Sequence, residues 1–225
     1  MLTAEKNVGF EFLFSFYNRN LIKRRFHSLQ VSGLNEIVGR SSGVPLILYA
    51  NHSSWWDGLV AFEISRKCKL SSFIMMEERQ LKKLFLFRQL GAFSVVRENP
   101  RQAVKSIDYA AQILKKDFRH SLWIFPQGEI LSNDLRPVRF FNGISRIVEK
   151  TSSVQLLPVA IRYEFLENFK PDIFVKIGKL EMFEIGANFQ PKKYTEILAI
   201  RLTRILDKLK NEITCGKFDE FEKIT

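Results

Sequence analysis

Short apolar runs separated by amphipathic stretches set the rhythm of this chain. PLILYA (45–50) is a continuous apolar run of the kind that predicts a strand buried on both faces. SSFIMM (71–76) predicts a second buried strand, and AFSVV (92–96) and SLWIF (121–125) a third and a fourth. VQLLPVAIRY (154–163) and DIFVKIGKLEMF (172–183) predict two more, and SLQVSGL (28–34) a shorter one earlier. Helical patterns lie between them. Asp57 to Lys67 carries apolar residues at 59, 60, 62 and 64, and Arg79 to Leu90 reads as helical and basic. After Pro100, RQAVKSIDYAAQILKK places Ala103, Ile107, Ala110, Ala111 and Leu114 at helical spacing. A short helix is expected from Asn142 or Gly143, and an amphipathic one from Lys192 to Lys210. SSG (41–43) reads as a loop and Pro126 to Phe140 as a long irregular piece.

Strands alternating with helices predict an α/β fold, a mostly parallel sheet flanked by helices. The last two strands have no helix between them, so an antiparallel pair is expected there. No repeat, low-complexity tract or linker divides the chain. In such sheets ligands bind beyond the carboxyl ends of the strands. That directs attention to the residues after PLILYA.

The first residues behave differently. VGFEFLFSFYNRNLIKRRF sets Phe10, Phe12, Leu13, Phe14, Phe16 and Tyr17 ahead of Arg19, Lys23, Arg24 and Arg25. On a helix these aromatics cover more than one face, wider than packing on a single core needs. An aromatic body with basic flanks suits the headgroup boundary of a bilayer. Residues 1–28 are therefore expected to form an interfacial amphipathic helical segment, and 29–225 the main domain.

Composition narrows the function classes. The 46% apolar and 26% charged fractions are ordinary for a globular chain, but 21 Phe and a formal net charge of +11 are not. The basic excess points to a polyanionic partner. No nucleic-acid motif accompanies it, and the basic residues sit beside apolar stretches, so an anionic membrane surface is expected rather than nucleic acid. No apolar run approaches the ~20 residues that span a bilayer. Cys68 and Cys215 are isolated, without metal spacing, and the start lacks a secretory pattern. A cytoplasmic protein, peripheral on the cytoplasmic face of a membrane, is the expectation.

Candidate chemistry lies in ANHSSWWDG (50–58). A histidine with a carboxylate five positions on can pair across a turn, the carboxylate holding one ring nitrogen and leaving the other as a base. His52 and Asp57 are the catalytic candidates. The partner hydroxyl is then the substrate's own; either serine could serve as an intermediate nucleophile, but Ser53 adjoins His52 and need not face it, and both read better as loop hydrogen bonders. Trp55 and Trp56 can wall an apolar channel. The other histidines, His27 and His120, suggest no metal site.

Four ordered blocks support this reading. NHSSWWD resembles the Asn-His-four-residues-Asp motif of the glycerolipid acyltransferase family, typified by lysophosphatidic acid acyltransferases. GAFSVVR (91–97), IFPQGEI (124–130) and LLPVAI (156–161) resemble its second, third and fourth blocks, in order. The resemblance implies transfer of an acyl group from a thioester, on coenzyme A or acyl carrier protein as co-substrate, to a lipid hydroxyl, with no other cofactor and no metal. His52 would be the base and Asp57 its orienter. The implied substrate-binding set is Arg97 for an anionic group, with Gly91, Gln127, Gly128 and Glu129. Pro126 and Gly128 would shape the third-block loop, and Pro158 would be structural.

The third block departs from its pattern. Gln127 stands where glutamate is usual, Glu129 where threonine is, and Ile130 where arginine is. Gln127 keeps an acceptor oxygen without charge. Losing the arginine removes a phosphate contact that Arg136 or Arg139 would have to replace. The acceptor is thus either a lysophospholipid or a less anionic lipid alcohol, such as a glycolipid or aminolipid. A non-catalytic lipid-binding member is a further alternative, against which both His52 and Asp57 stand.

Overall fold

The apolar runs become the strands of one sheet. The computed structural model describes residues 1–41 and 43–225; Ser42, inside the loop expected over 41–43, lies outside the described residues. Among these, nine strands are ordered β4-β3-β5-β2-β6-β7-β1-β9, with β8 on β6. They are β1 Leu29–Ser32, β2 Leu46–Ala50, β3 Ser71–Glu77, β4 Ala92–Val95, β5 His120–Ile124, β6 Ser153–Glu164, β7 Asp172–Ile177, β8 Glu181–Glu184 and β9 Glu222–Lys223. From β4 to β6 all neighbours run parallel. The sheet is α/β and mostly parallel, as the pattern predicts, and the expected antiparallel end begins where β7 meets β6.

Helices α1 (Val8–Arg25), α2 (Leu34–Val38) and α3 (Asp57–Lys67) belong to one side; α5 (Pro100–Lys116), α6 (Gly143–Thr151) and α7 (Pro191–Thr214) belong to the other. Strand β2 shows why its sequence lacks alternation. Ile47 and Tyr49 join the core under α5 to α7, while Leu46, Leu48 and Ala50 join the core under α1 and α3. Both faces are covered, so both sets are apolar.

Three elements differ from the sequence pattern. The helix expected over Arg79 to Leu90 splits into α4 (Glu78–Lys83) and a 3-10 helix, Phe85–Leu90. Leu84 leaves helical geometry at φ −113°, ψ 46°, and Phe87 then meets Phe14 of α1 with ring centres 5.8 Å apart. The single strand expected over 172–183 is interrupted. Ile177 pairs with Val159 and Glu181 with Leu156, four steps on one strand against three on the other. The extra residue is a bulge. Gly178 sits there and donates its N–H to the Pro158 carbonyl at 2.9 Å, where a Cβ would approach the Pro158 ring to 2.9 Å. Pro158 itself lies in the gap between the two pairings, which is how a central strand tolerates a residue without an N–H. Finally, β3 is less buried than its composition predicts, with Phe73 its one buried residue. Its side chains face an open groove.

Helix α1 has two faces. Asn18 and Ile22 are buried, and Phe14 packs on Phe62 of α3 at 5.1 Å. Phe12, Leu13, Phe16 and Tyr17 are more than half exposed. Ahead of α1, residues 2–7 run from the outer edge of β4 to the 3-10 helix. Leu2 accepts the Ser94 N–H at 2.8 Å, and the N–H groups of Glu5 and Asn7 donate to the carbonyls of Arg88 and Gln89.

Candidate active site

Strand β2 ends at Ala50, and the chain turns at Asn51 before α3 begins at Asp57. Asn51 fastens the turn. Its side-chain oxygen accepts the Ile161 N–H, and its amide donates to the Ile161 carbonyl, both at 2.8 Å. It thereby continues the β2–β6 pairing past the strand end. The following loop therefore projects from a fixed point.

Asp57 opens α3 with a side chain that is fully buried. A buried carboxylate needs donors, and this one has four. Its Oδ2 accepts the N–H groups of Ser53 at 2.7 Å and Ser54 at 2.9 Å and the Nδ1–H of His52 at 2.8 Å. Its Oδ1 accepts the Tyr163 hydroxyl at 2.6 Å. The two serines thus contribute mainly through their backbone. Neither hydroxyl is hydrogen-bonded to His52, so no serine nucleophile is set up here. Burial, reinforced by the charge of Asp57, holds the Tyr163 phenol well above its ordinary pKa, so it remains a neutral donor.

His52 is held at every side except one. Its ring stacks on Phe125 with centres 4.7 Å apart. Its N–H donates to Gln127 Oε1 at 2.7 Å, and its carbonyl accepts the Leu131 N–H at 2.9 Å. Nδ1 is committed to Asp57, so Nε2 is the ring nitrogen left for chemistry.

A groove of about 600 Å³ has His52 in its wall. Ala61, Phe62 and Ser65 of α3 line one side, and Ile74, Met75 and Met76 of β3 another. Trp55, Arg97, Phe125, Glu129, Ile130 and Phe141 line it too. A predominantly apolar groove with one base in its wall fits an amphiphile better than a polar metabolite.

The remaining sequence candidates fall into two groups. Arg97 lines the groove, its guanidinium 5.7 Å from the centre of the Phe141 ring, with no carboxylate within 4.0 Å among the described residues. Gly128 makes that position possible. At φ +73°, a Cβ there would lie 2.6 Å from Arg97 Nη1 and 2.9 Å from Phe141. Glu129 is exposed at the groove wall. Gln127 is buried and spends its carbonyl oxygen on the His52 backbone. Gly91 is buried outside the groove, ending the 3-10 helix at φ +95° with its Cβ direction 2.6 Å from the Ser72 carbonyl oxygen. Its position is that of a turn residue. Trp55 lines the groove, whereas Trp56 turns inward onto Phe26 at 5.0 Å. Arg136 is tied to Asp207 and to the carbonyls of Asn133 and Leu135, and Arg139 is exposed; neither lines the groove.

The sequence model of the Acyltransferase family matches residues 28–162, more than half of the chain and all four blocks. The chain belongs to the acyltransferase family. No curated protein matches it. For this acyltransferase, the match begins at the first strand and ends within β6, so the helices α1 and α7 lie wholly outside it. Two residues of the site escaped sequence reasoning. Tyr163 lies 106 positions from Asp57, and nothing local marks a tyrosine at a strand end. Asn51 belongs to the quoted motif, but its bond to Ile161 depends on the β2–β6 pairing.

Proposed function

We propose that this acyltransferase moves a fatty acyl group from an acyl thioester, on coenzyme A or acyl carrier protein, to the hydroxyl of a lysophospholipid such as lysophosphatidic acid. The observation that carries the reading is the His52–Asp57 pair, with Nε2 left free in the wall of an apolar groove. The acceptor hydroxyl gives its proton to Nε2 as its oxygen bonds to the thioester carbon. The tetrahedral adduct collapses, the C–S bond breaks, and the leaving thiolate takes the proton from the imidazolium. Asp57 stays ionised, steadying the imidazolium through Nδ1–H. Arg97 supplies a forked cation for an acceptor phosphate.

A less anionic acceptor is the second reading. The third block brings Glu129 and Ile130 to the groove wall, and neither adds a cation there. A glycolipid or aminolipid alcohol fits that wall as well. The protein would work as a peripheral protein on the cytoplasmic face of a membrane, with the exposed aromatics of α1 at the lipid boundary. No described helix is long and apolar enough to cross a bilayer.

Labelled palmitoyl-coenzyme A offered with a panel of lysophospholipids and neutral lipid alcohols tests the reading, the product being identified by mass. Acylation of lysophosphatidic acid above all others is expected. Acylation of neutral alcohols alone selects the second reading. His52→Ala should lower transfer at least 100-fold, in keeping with loss of a general base, with the fold retained. Full activity in that variant overturns the mechanism.

A further inference from the structure

Strand β6 does not stop at the active-site end of the sheet. Its last residue paired to β2 is Val159, opposite Ala50, yet it continues to Glu164 with β7 as its partner strand there and the Asn51 side chain bonded to Ile161. Five further residues at about 3.3 Å each carry the β6–β7 hairpin roughly 16 Å past the end of β2. The tip of that hairpin bears Phe165, Leu166 and Phe169, exposed by 72%, 44% and 105%. Hairpin tips in water are ordinarily polar, and three large apolar side chains within five positions demand another environment.

The tip rests against the C-terminal end of α1. The His27 N–H donates to the Pro171 carbonyl at 3.0 Å, and Lys170 Nζ donates to the Lys23 carbonyl at 3.3 Å. Beside it, α1 exposes Arg19, Lys23, Arg24 and Arg25, none within 4.0 Å of a carboxylate among the described residues. Glu167 is the one acid of the tip. Beyond those cations lie the exposed Phe12, Leu13, Phe16 and Tyr17. Two apolar patches therefore flank a row of unpaired positive charge.

We propose that the β6–β7 tip is a second lipid-inserting element, and that it seats the protein on an anionic bilayer together with α1. The charge row is what selects this occupant. Apolar side chains entering beside cations match acyl chains lying under anionic headgroups. This deepens the membrane placement proposed above and rests on it.

The test uses the full chain and vesicles of phosphatidylcholine alone or mixed equally with phosphatidylglycerol. Wild type should co-sediment with the mixed vesicles and weakly with the neutral ones. Phe165→Ser, Leu166→Ser and Phe169→Ser together should lower partitioning about tenfold or more, with an unchanged melting temperature because these side chains are exposed. Phe169→Trp should add emission that brominated lipid quenches. Wild-type binding in the triple variant, an unquenched Trp, or no binding by wild type each overturns the proposal. Acyl transfer to a short-chain, monomeric acceptor separates this from the catalytic reading. The triple variant should keep it, whereas a protein that binds vesicles through the tip but transfers nothing overturns the catalysis and leaves the tip assignment standing.

Discussion

The Tyr163 hydroxyl donates to Asp57 Oδ1 at 2.6 Å, on the carboxylate oxygen that His52 does not use. A carboxylate held from both sides cannot rotate away from the imidazole. Tyr163 is therefore a positioning residue. Tyr163→Phe keeps the ring and its contact with Phe26 but frees one oxygen. Its kcat should fall roughly tenfold with KM within twofold of wild type, in line with loss of a hydrogen bond to a charged group. Steady-state kinetics read this split, and a rise in KM alone would make Tyr163 a substrate contact.

Gln127 separates positioning from substrate binding in another way. Its oxygen caps the His52 N–H. Gln127→Ala leaves that N–H without a partner and should cost about 1–2 kcal/mol of stability together with at least tenfold in kcat. Gln127→Glu retains an acceptor oxygen and should stay within several-fold of wild type. Equal damage from both variants would show that the amide nitrogen, not the oxygen, matters.

Arg97 has no internal carboxylate to hold it, so its removal should be felt by ligand rather than by fold. Arg97→Ala should raise KM about tenfold for phosphate-bearing acceptors, the scale of one charge-assisted hydrogen bond, and little for neutral lipid alcohols. Acceptor-dependent kinetics check this. An equal rise for both classes would remove its anion role.

Glu63 of α3 is buried under α1, where Asn18 Nδ2 donates to it at 3.3 Å. Burial raises its pKa, with Asn18 and nearby Arg19 and Arg66 opposing. A raised carboxyl pKa in the folded state favours folding below the ordinary carboxylate range, and that contribution is lost as pH climbs through the folded value. Glu63→Gln should therefore melt with wild type near pH 4 and roughly 2 °C above it at pH 7. Differential scanning fluorimetry at the two pH values decides it; a variant that melts lower at pH 7 would show that the charge is favourable.

What the sequence carried was local. A strand read from PLILYA, a helix read from Asp57 onward and a histidine at their junction place His52 and Asp57 together, because all of it lies within one turn. Non-local relations were out of reach. The bulge at Gly178 exists because a strand of one length meets another of a different register, with Pro158 opposite. Glutamine at 127 reads as a groove residue by its block, but the loop folds back under His52 and buries it. The helix read over 79–90 breaks at Leu84, and beyond the break Phe87 meets Phe14, a contact between segments far apart in sequence.

The two borders of the sheet are met by distant parts of the chain: Leu2 bonds to Ser94 of β4, and β9 lies against β1 through Gln30 and Val31. The first clasp is available as soon as β4 emerges during synthesis. The second has to wait for residue 223, so β1 keeps an open border until β9 has been made. Chains cut short before that point would leave the ribosome with an unprotected strand ready to pair with a neighbour's.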